Sequence, residues 1–336
     1  MKTSRRRDHA LVINLWHLKA TNGMFYYACD YVRAIRAPAV VLLNRKFRQV
    51  EPSTLGDLPQ RRVGLLGYLG FWVELLWSRS PVFTPTPHPL PFIRRQLIVV
   101  HDSYPFRRTG GLICLVKKAL LRISLATSRC KVAYINNTDS RRFVEKLVKA
   151  EERRIFLPNH FPSPGVLPRR RHRSDRVFVG LIGTDSSKKN YAKLFSVVSK
   201  RQLSERFEFL VLGHDTEYFR QTCGMFPQLR IRLVPSDSSS LDAFLGDVDC
   251  VVSVATNEGF GRPIAHALSR GVPCFLIEDE VFREFYDGWA VFSADIDALV
   301  SRLLDPDSYP QNTRPLLIPS AVHAAIDNGL RILNAL

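Results

Sequence analysis

Short apolar runs recur along this chain at the spacing of strand–helix units, in two series separated by a proline-rich break. The first series covers residues 10–15, 39–43, 96–100 and 131–135, with helix-forming segments such as 25–35 and 140–149 between them. The second covers 176–182, 207–212, 230–233, 250–254 and 273–277. Short aliphatic runs without polar alternation suit strands buried on both faces, and intervening helices supply the cover. Parallel sheets are therefore predicted. The break holds Pro158, Pro162, Pro164, Gly165 and Pro168 and leads into Arg169-Arg170-Arg171-His172-Arg173, a segment that reads as an interdomain linker. The expected class is α/β, with two Rossmann-like domains at 1–165 and 166–318 and a last helix, 319–336, packing back toward the first.

Composition supports two ordinary cores. The 336 residues exceed what one core usually holds, and 46% hydrophobic with 24% charged residues excludes a disordered or low-complexity chain. No run of eighteen apolar residues occurs, so no spanning helix is expected. The basic opening Met-Lys-Thr-Ser-Arg-Arg-Arg precedes only a short apolar run, a poor secretory signal. Six scattered cysteines, with Cys250 and Cys274 inside apolar runs, fit buried reduced thiols and a cytoplasmic setting.

The net charge of +17 is unevenly placed. Residues 1–165 hold 28 Lys and Arg against 10 Asp and Glu, and residues 166–336 hold 20 against 21. A basic half joined to a near-neutral half points to an anionic surface or substrate for the first domain. The same excess also fits a soluble domain with many surface arginines. No helix-turn-helix pattern, RNP-like strand or zinc knuckle accompanies it, so nucleic acid is not the expected partner. Instead the cations interleave with apolar runs, as in residues 112–122, where helical spacing gives a basic amphipathic stretch. Such a stretch either lies on an anionic bilayer or faces a core with a solvated cationic side. A second run, 63–77, has Glu74 as its one charge and is either buried or a shallow membrane dip.

The segment most informative about chemistry is Ser253-Val254-Ala255-Thr256-Asn257-Glu258-Gly259-Phe260-Gly261-Arg262-Pro263-Ile264-Ala265-His266-Ala267. A strand runs into a glycine turn, and Pro263 suits the first turn of a helix. Strand, glycine turn and helix start make an anion site, with Glu258 able to bond sugar hydroxyls beside it. This segment, with Gly271-Val272-Pro273 after it, resembles the E-G-F-G-x-P-x-x-E-A and G-x-P signature of the retaining, nucleotide-sugar-dependent glycosyltransferases of family 4. Those have the GT-B fold, two Rossmann-like domains facing each other across a cleft. His266 stands where that signature has its second glutamate, which commonly holds the nucleotide ribose. A neutral imidazole can make one hydrogen bond to a ribose hydroxyl but not a bidentate carboxylate contact.

The resemblance extends to further segments. Gly180 to Asn190 looks like the family's G-x-x-x-x-R-K-N segment, with Lys188 and Lys189 in the roles of the cations that grip the diphosphate and Thr184 beside them. His101-Asp102-Ser103-Tyr104-Pro105 resembles the H-D-x-x-P turn, whose histidine faces the donor sugar, with Asp102 toward the acceptor. Asn22 and Gly23, before the first helix, look like the glycine loop that approaches the phosphates.

By this resemblance Glu258, His101 and Lys189 are catalytic. Lys188, Thr184, Asn257, Gly259, Phe260, Gly261, His266, Gly23 and Asn22 hold the donor. The resemblance implies transfer from a nucleotide-diphosphate sugar to a glycan or glycolipid, of lipopolysaccharide or lipid-linked polysaccharide type, with retention and without a metal. Asp247-Val248-Asp249 is formally D-x-D but reads as the cap of a buried strand. An anionic membrane surface, on the inner face of the cytoplasmic membrane, is the partner that the basic half suggests. Two other readings stay open: a GT-B-like binding or scaffold protein without activity, prompted by His266, and a nucleic-acid-binding protein using the basic half.

Overall fold

The strand-forming runs do build two parallel sheets in the structure, a computed structural model that describes residues 10–48, 55–103, 106, 112–127, 130–165, 167, 176–185, 187–256, 258–310 and 316–336. The chain divides into two units, residues 1–160 with 319–336, and residues 161–318.

In the first unit, strands β1 (Leu11–Asn14), β2 (Ala39–Asn44), β3 (Gln60–Val63), β4 (Val82–Thr84), β5 (Gln96–Val100), β6 (Lys131–Tyr134) and β7 (Arg154–Phe156) pair in the order β3-β2-β1-β4-β5-β6-β7. Its helices are α1 (Gly23–Ala34), α2 (Leu65–Ser78), α3 (Leu112–Thr127) and α4 (Ser140–Leu147). The middle strands β1, β4 and β5 are wholly buried, as continuous apolar runs require when helices cover both faces. Each helix follows one strand and precedes the next, the crossover that parallel pairing needs.

The second unit repeats the plan. Strands β8 (Val177–Ile182), β9 (Phe207–Gly213), β10 (Arg230–Pro235), β11 (Cys250–Ser253), β12 (Cys274–Ile277) and β13 (Val291–Ser293) pair in the order β10-β9-β8-β11-β12-β13. Its helices are α5 (Tyr191–Lys200), α6 (Glu217–Gly224), α7 (Leu241–Gly246), α8 (Arg262–Ser269), α9 (Glu280–Tyr286) and α10 (Ile296–Leu304). In both sheets the strand order reverses at a central pair, β1/β4 and β8/β11, and loops at such a reversal open a crevice where α/β sheets hold ligands. Asp249, of the formal D-x-D, accepts a hydrogen bond from the Phe178 amide at 2.8 Å and so ties β11 to β8.

The final helix, α11 (Ser320–Ala335), belongs to the first unit. Gly329 lets it approach closely, since a Cβ there would lie 1.9 Å from Leu157 Cδ1. The unit boundary falls at 160/161, five residues before the position read from the prolines. The reason is local. Phe161 packs edge-on against Phe260, the Gly165 amide donates to the Ser269 carbonyl at 2.9 Å, and Arg270 Nη1 donates to the Ser163 carbonyl at 2.7 Å. These contacts bind the first proline-rich residues to the second unit, while the arginine run 169–173 lies outside the described residues.

Candidate functional site

The glycine turn after β11 is built as a rigid corner. Gly261 precedes α8 with φ at +75°, a left-handed conformation, and a Cβ there would lie 2.7 Å from Phe282 Cε1. Glycine is thus required on both counts. The Phe260 ring turns inward, against Phe161, Phe285 and Tyr286. The Tyr286 hydroxyl donates to the Phe260 carbonyl at 2.6 Å and lies 3.3 Å from that of Gly261. Burial pushes the Tyr286 phenol well above its ordinary pKa, so it stays protonated as a donor. Of the two motif residues, then, Phe260 and Gly261 contribute backbone rather than side chains. At the helix start Pro263 has no amide hydrogen and the Ile264 amide donates to the Gly261 carbonyl at 2.8 Å. The start of α8 thus presents fewer amide donors than a bare helix N-terminus would.

A second loop is laced to this corner. After β8 the chain passes through a 3₁₀ turn, Ser187–Lys189, into α5. Asn190 Nδ2 donates to the Val254 carbonyl at 3.0 Å, and the Thr256 amide donates to the Lys188 carbonyl at 3.2 Å. The Tyr191 hydroxyl donates to the Gly183 carbonyl at 2.7 Å. These bonds bring Lys189 Nζ to 3.1 Å from Glu258 Oε1, with side chains 22% and 24% exposed. The two residues lie 69 positions apart in the chain yet meet at the central strand pair of their sheet. An ammonium with three donors, one of them engaged by a carboxylate, retains the capacity to bond an anion. Lys188 adjoins it in the same turn. Asn257 lies outside the described residues.

Thr184 is placed differently from the expectation. It is buried, its hydroxyl donates to the His214 carbonyl at 2.7 Å and accepts from the His214 amide at 3.0 Å, and the Thr216 hydroxyl donates to the Thr184 carbonyl. Its side chain holds two loops together rather than facing a ligand.

His266 has a partner that sequence reasoning missed. Its Nε2 lies 2.6 Å from Asp242 Oδ1 on α7, and Arg270 holds the same carboxylate with Nε at 2.9 Å and Nη2 at 3.2 Å. The Arg270 hydrogen bond, aided by that of His266, keeps the Asp242 carboxyl below its usual pKa. An ionised carboxylate only accepts, so Nε2 carries a proton toward Asp242, and Nδ1 is an acceptor only in the uncharged form of the ring. Nothing in the sequence spacing connects residue 242 to residue 266.

The first unit carries the remaining candidates. His101 follows β5, its Nε2 donating to the Pro85 carbonyl at 2.9 Å and its ring edge-on to Tyr27 of α1 at 4.7 Å. Asp102, next in the chain, is half-buried. Asn22 caps α1, its side chain accepting from the Phe25 amide at 3.1 Å, and Gly23 is exposed at the first position of that helix. The structure therefore assigns the Asn22 side chain to the helix and leaves Gly23 as accessible backbone.

No protein-family profile matches the chain. It is similar to the O-antigen chain mannosyltransferase RfbU of Salmonella typhimurium, with 20% identity over 308 residues, 84% of this chain and 86% of that protein. Among solved structures it resembles Anabaena Alr3699/HepE, determined with UDP and glucose, at a TM-score of 0.69 and 13% identity, covering 97% of both chains. It also resembles WaaG, a glycosyltransferase involved in lipopolysaccharide biosynthesis, at a TM-score of 0.66 and 11% identity, covering 97% of this chain and 94% of that one. The two parallel α/β units, in this order along the chain, have the fold of the GT-B glycosyltransferases.

Proposed function

We propose that this chain is a retaining glycosyltransferase that moves a sugar from a nucleotide-diphosphate donor to a glycan or lipid-linked acceptor at a membrane surface. The observation that carries the proposal is the Lys189–Glu258 pair, held at the central strand pair beside the Gly261 turn. Leaving of a nucleoside diphosphate concentrates negative charge on the outgoing phosphate, and preorganised donors there lower the barrier. Lys189 and Lys188 supply the cations and the 259–261 turn supplies amides, so the lysines take the electrostatic role and no metal is invoked. Glu258, fixed by Lys189, accepts from donor-sugar hydroxyls, and His266 Nδ1 accepts from a ribose hydroxyl. In the first unit, His101 keeps Nε2 on the Pro85 carbonyl, and Gly23 presents exposed backbone at the start of α1. The names of RfbU, an O-antigen chain mannosyltransferase, and of WaaG support an acceptor of lipopolysaccharide type.

The test is a calorimetric binding screen with UDP-, GDP- and CMP-sugars. One class is expected to bind, and Lys189→Ala is expected to weaken it by about tenfold or more, as loss of a charge-assisted contact does. Absence of binding by every nucleotide would leave a GT-B-fold scaffold in its place.

A further inference from the structure

The apolar run 63–77 leaves two fates open, burial or contact with a membrane, and α2 is buried on one face and exposed on the other. Tyr68, Phe71 and Leu75 are buried against Val12, Leu42 and Val82 of the sheet. At 100° per residue, Leu66 points directly away from Leu75, and Leu65, Leu69, Val73, Leu76 and Trp77 flank it within an arc of about 120°. All six stand in solvent, Leu66 at 83% and Trp77 at 84% exposure. A helix on a protein surface normally turns polar residues outward, and one that is apolar all round needs a second apolar neighbour. At the border of the stripe, Glu74 is paired to Arg61 at 3.1 Å.

α3 presents a matching face. Leu121 and Leu125 are buried against Ile98, Val100 and Val132, while Leu115, Val116, Leu120 and Ile123 are exposed, with Arg122 among them. The two helices cover the same side of the sheet. Val12 pairs with Val82, Thr84 with Ile98 and Ile98 with Val132, and Val82 and Thr84 share a side by strand alternation. On this layer a cavity of about 240 Å³ between α3 and the end of α4 is lined by Arg122, Lys149 and Arg153.

We infer that α2 seats this protein on an anionic lipid bilayer, its Leu66–Trp77 stripe entering the interfacial region while the cations of α3 and its cavity meet lipid phosphates. Three observations select a bilayer over a protein partner. The stripe is apolar without a polar rim on its own helix apart from the Arg61–Glu74 pair. The cations lie on the same layer, and residues 1–165 carry a net +18. At fourteen residues, about 21 Å, α2 is too short to cross a bilayer and long enough to lie along one. Burial of leucine and tryptophan gives such docking a part that salt does not screen, in contrast to attraction by lysine and arginine alone. The inference names the surface on which the proposed transferase would meet its acceptor, but it stands on the packing of α2.

The experiment is co-flotation of the full chain with phosphatidylcholine vesicles, with and without phosphatidylglycerol, at low and high salt, alongside light scattering of the free protein. The wild type is expected to float with anionic vesicles and to retain part of that binding at high salt. Leu66→Glu/Trp77→Glu should lower binding by about tenfold or more at both salts, and Lys118→Gln/Arg122→Gln should lower it at low salt alone. Both side chains of the first variant are outside the core, so its thermal melt should match the wild type, and Leu66→Ser/Trp77→Ser repeats the arm without added charge. Flotation that neither α2 variant changes, or none by the wild type, overturns the inference. So does a dimer that the α2 variants convert to monomer, which would give the stripe to a second copy. Nucleotide-sugar binding is read separately, and its failure would leave the vesicle result standing.

Discussion

The two units share a sheet plan and differ in what their surfaces face. Twelve of the fourteen large apolar side chains exposed among the described residues belong to the first unit, and the second has Met225 and Leu317. The second unit also starts α6, α7, α9 and α10 with side-chain caps from Thr216, Ser240, Asp279 and Asp295, while α2 starts at Gly64 without one. Capped helices with polar outer faces are selected by water. The uncapped α2 turns six large apolar side chains outward instead, and the same architecture accommodates both because the sheet constrains only the inner face of each helix.

If the second unit holds the chemistry, its corner should fail before its fold does. The largest effect is expected from Glu258→Ala, a loss of transfer of about 100-fold or more, in the range of a lost transition-state electrostatic contact. Its melting temperature should barely move, since a partly exposed ion pair contributes about 0.5 kcal/mol. A large fall in melting temperature would make Glu258 a structural residue and break the comparison. Gly261→Ala comes next. Forcing an alanine into a left-handed corner costs about 1–2 kcal/mol before its contact with Phe282 is counted, so calorimetry should show the melting temperature lowered by several degrees. An unchanged melt would show that the corner is not held as described.

The smallest effect concerns pH. The Asp242 carboxyl is depressed in the folded state by Arg270 and then His266, and in the unfolded chain it titrates near 3.9. Its contribution to stability is therefore present above about pH 4 and is lost as pH falls through the lower folded value. The gap in melting temperature between wild type and Asp242→Asn should narrow across that window in acid melts. A constant gap would detach Asp242 from the ionic bond. His266→Glu, which the motif alone favours, would put a second carboxylate beside Asp242, which His266 Nε2 meets at 2.6 Å, unless Asp242 is changed with it.

Much of this was legible in the residues. Apolar runs gave β1, β2, β5, β6, β8, β9, β10, β11 and β12, and the glycine signature located the corner before α8. β4, β7 and β13 have three residues each, too few for a period to register. β3 reads Gln-Arg-Arg-Val because it is an edge strand paired to β2 alone, where polar residues suffer no burial. Within the site, a motif fixes position along the chain but not the direction of a side chain. Thr184 and Phe260 point into the protein for that reason, and the bond from His266 to Asp242 arises from the packing of α7 beside α8. The outward face of α2 was open in the sequence because a helix apolar on every side has no polar stripe to orient it.

The return of α11 to the first unit has a consequence for biogenesis. Residues 161–318 form one uninterrupted stretch and can reach their native arrangement as soon as they leave the ribosome. The first unit, although its strands are made first, lacks the helix that covers Leu157 and Tyr31 until residues 320–335 have been made. A chain cut after residue 318 would keep every strand and helix of the second unit and leave the first without its covering helix.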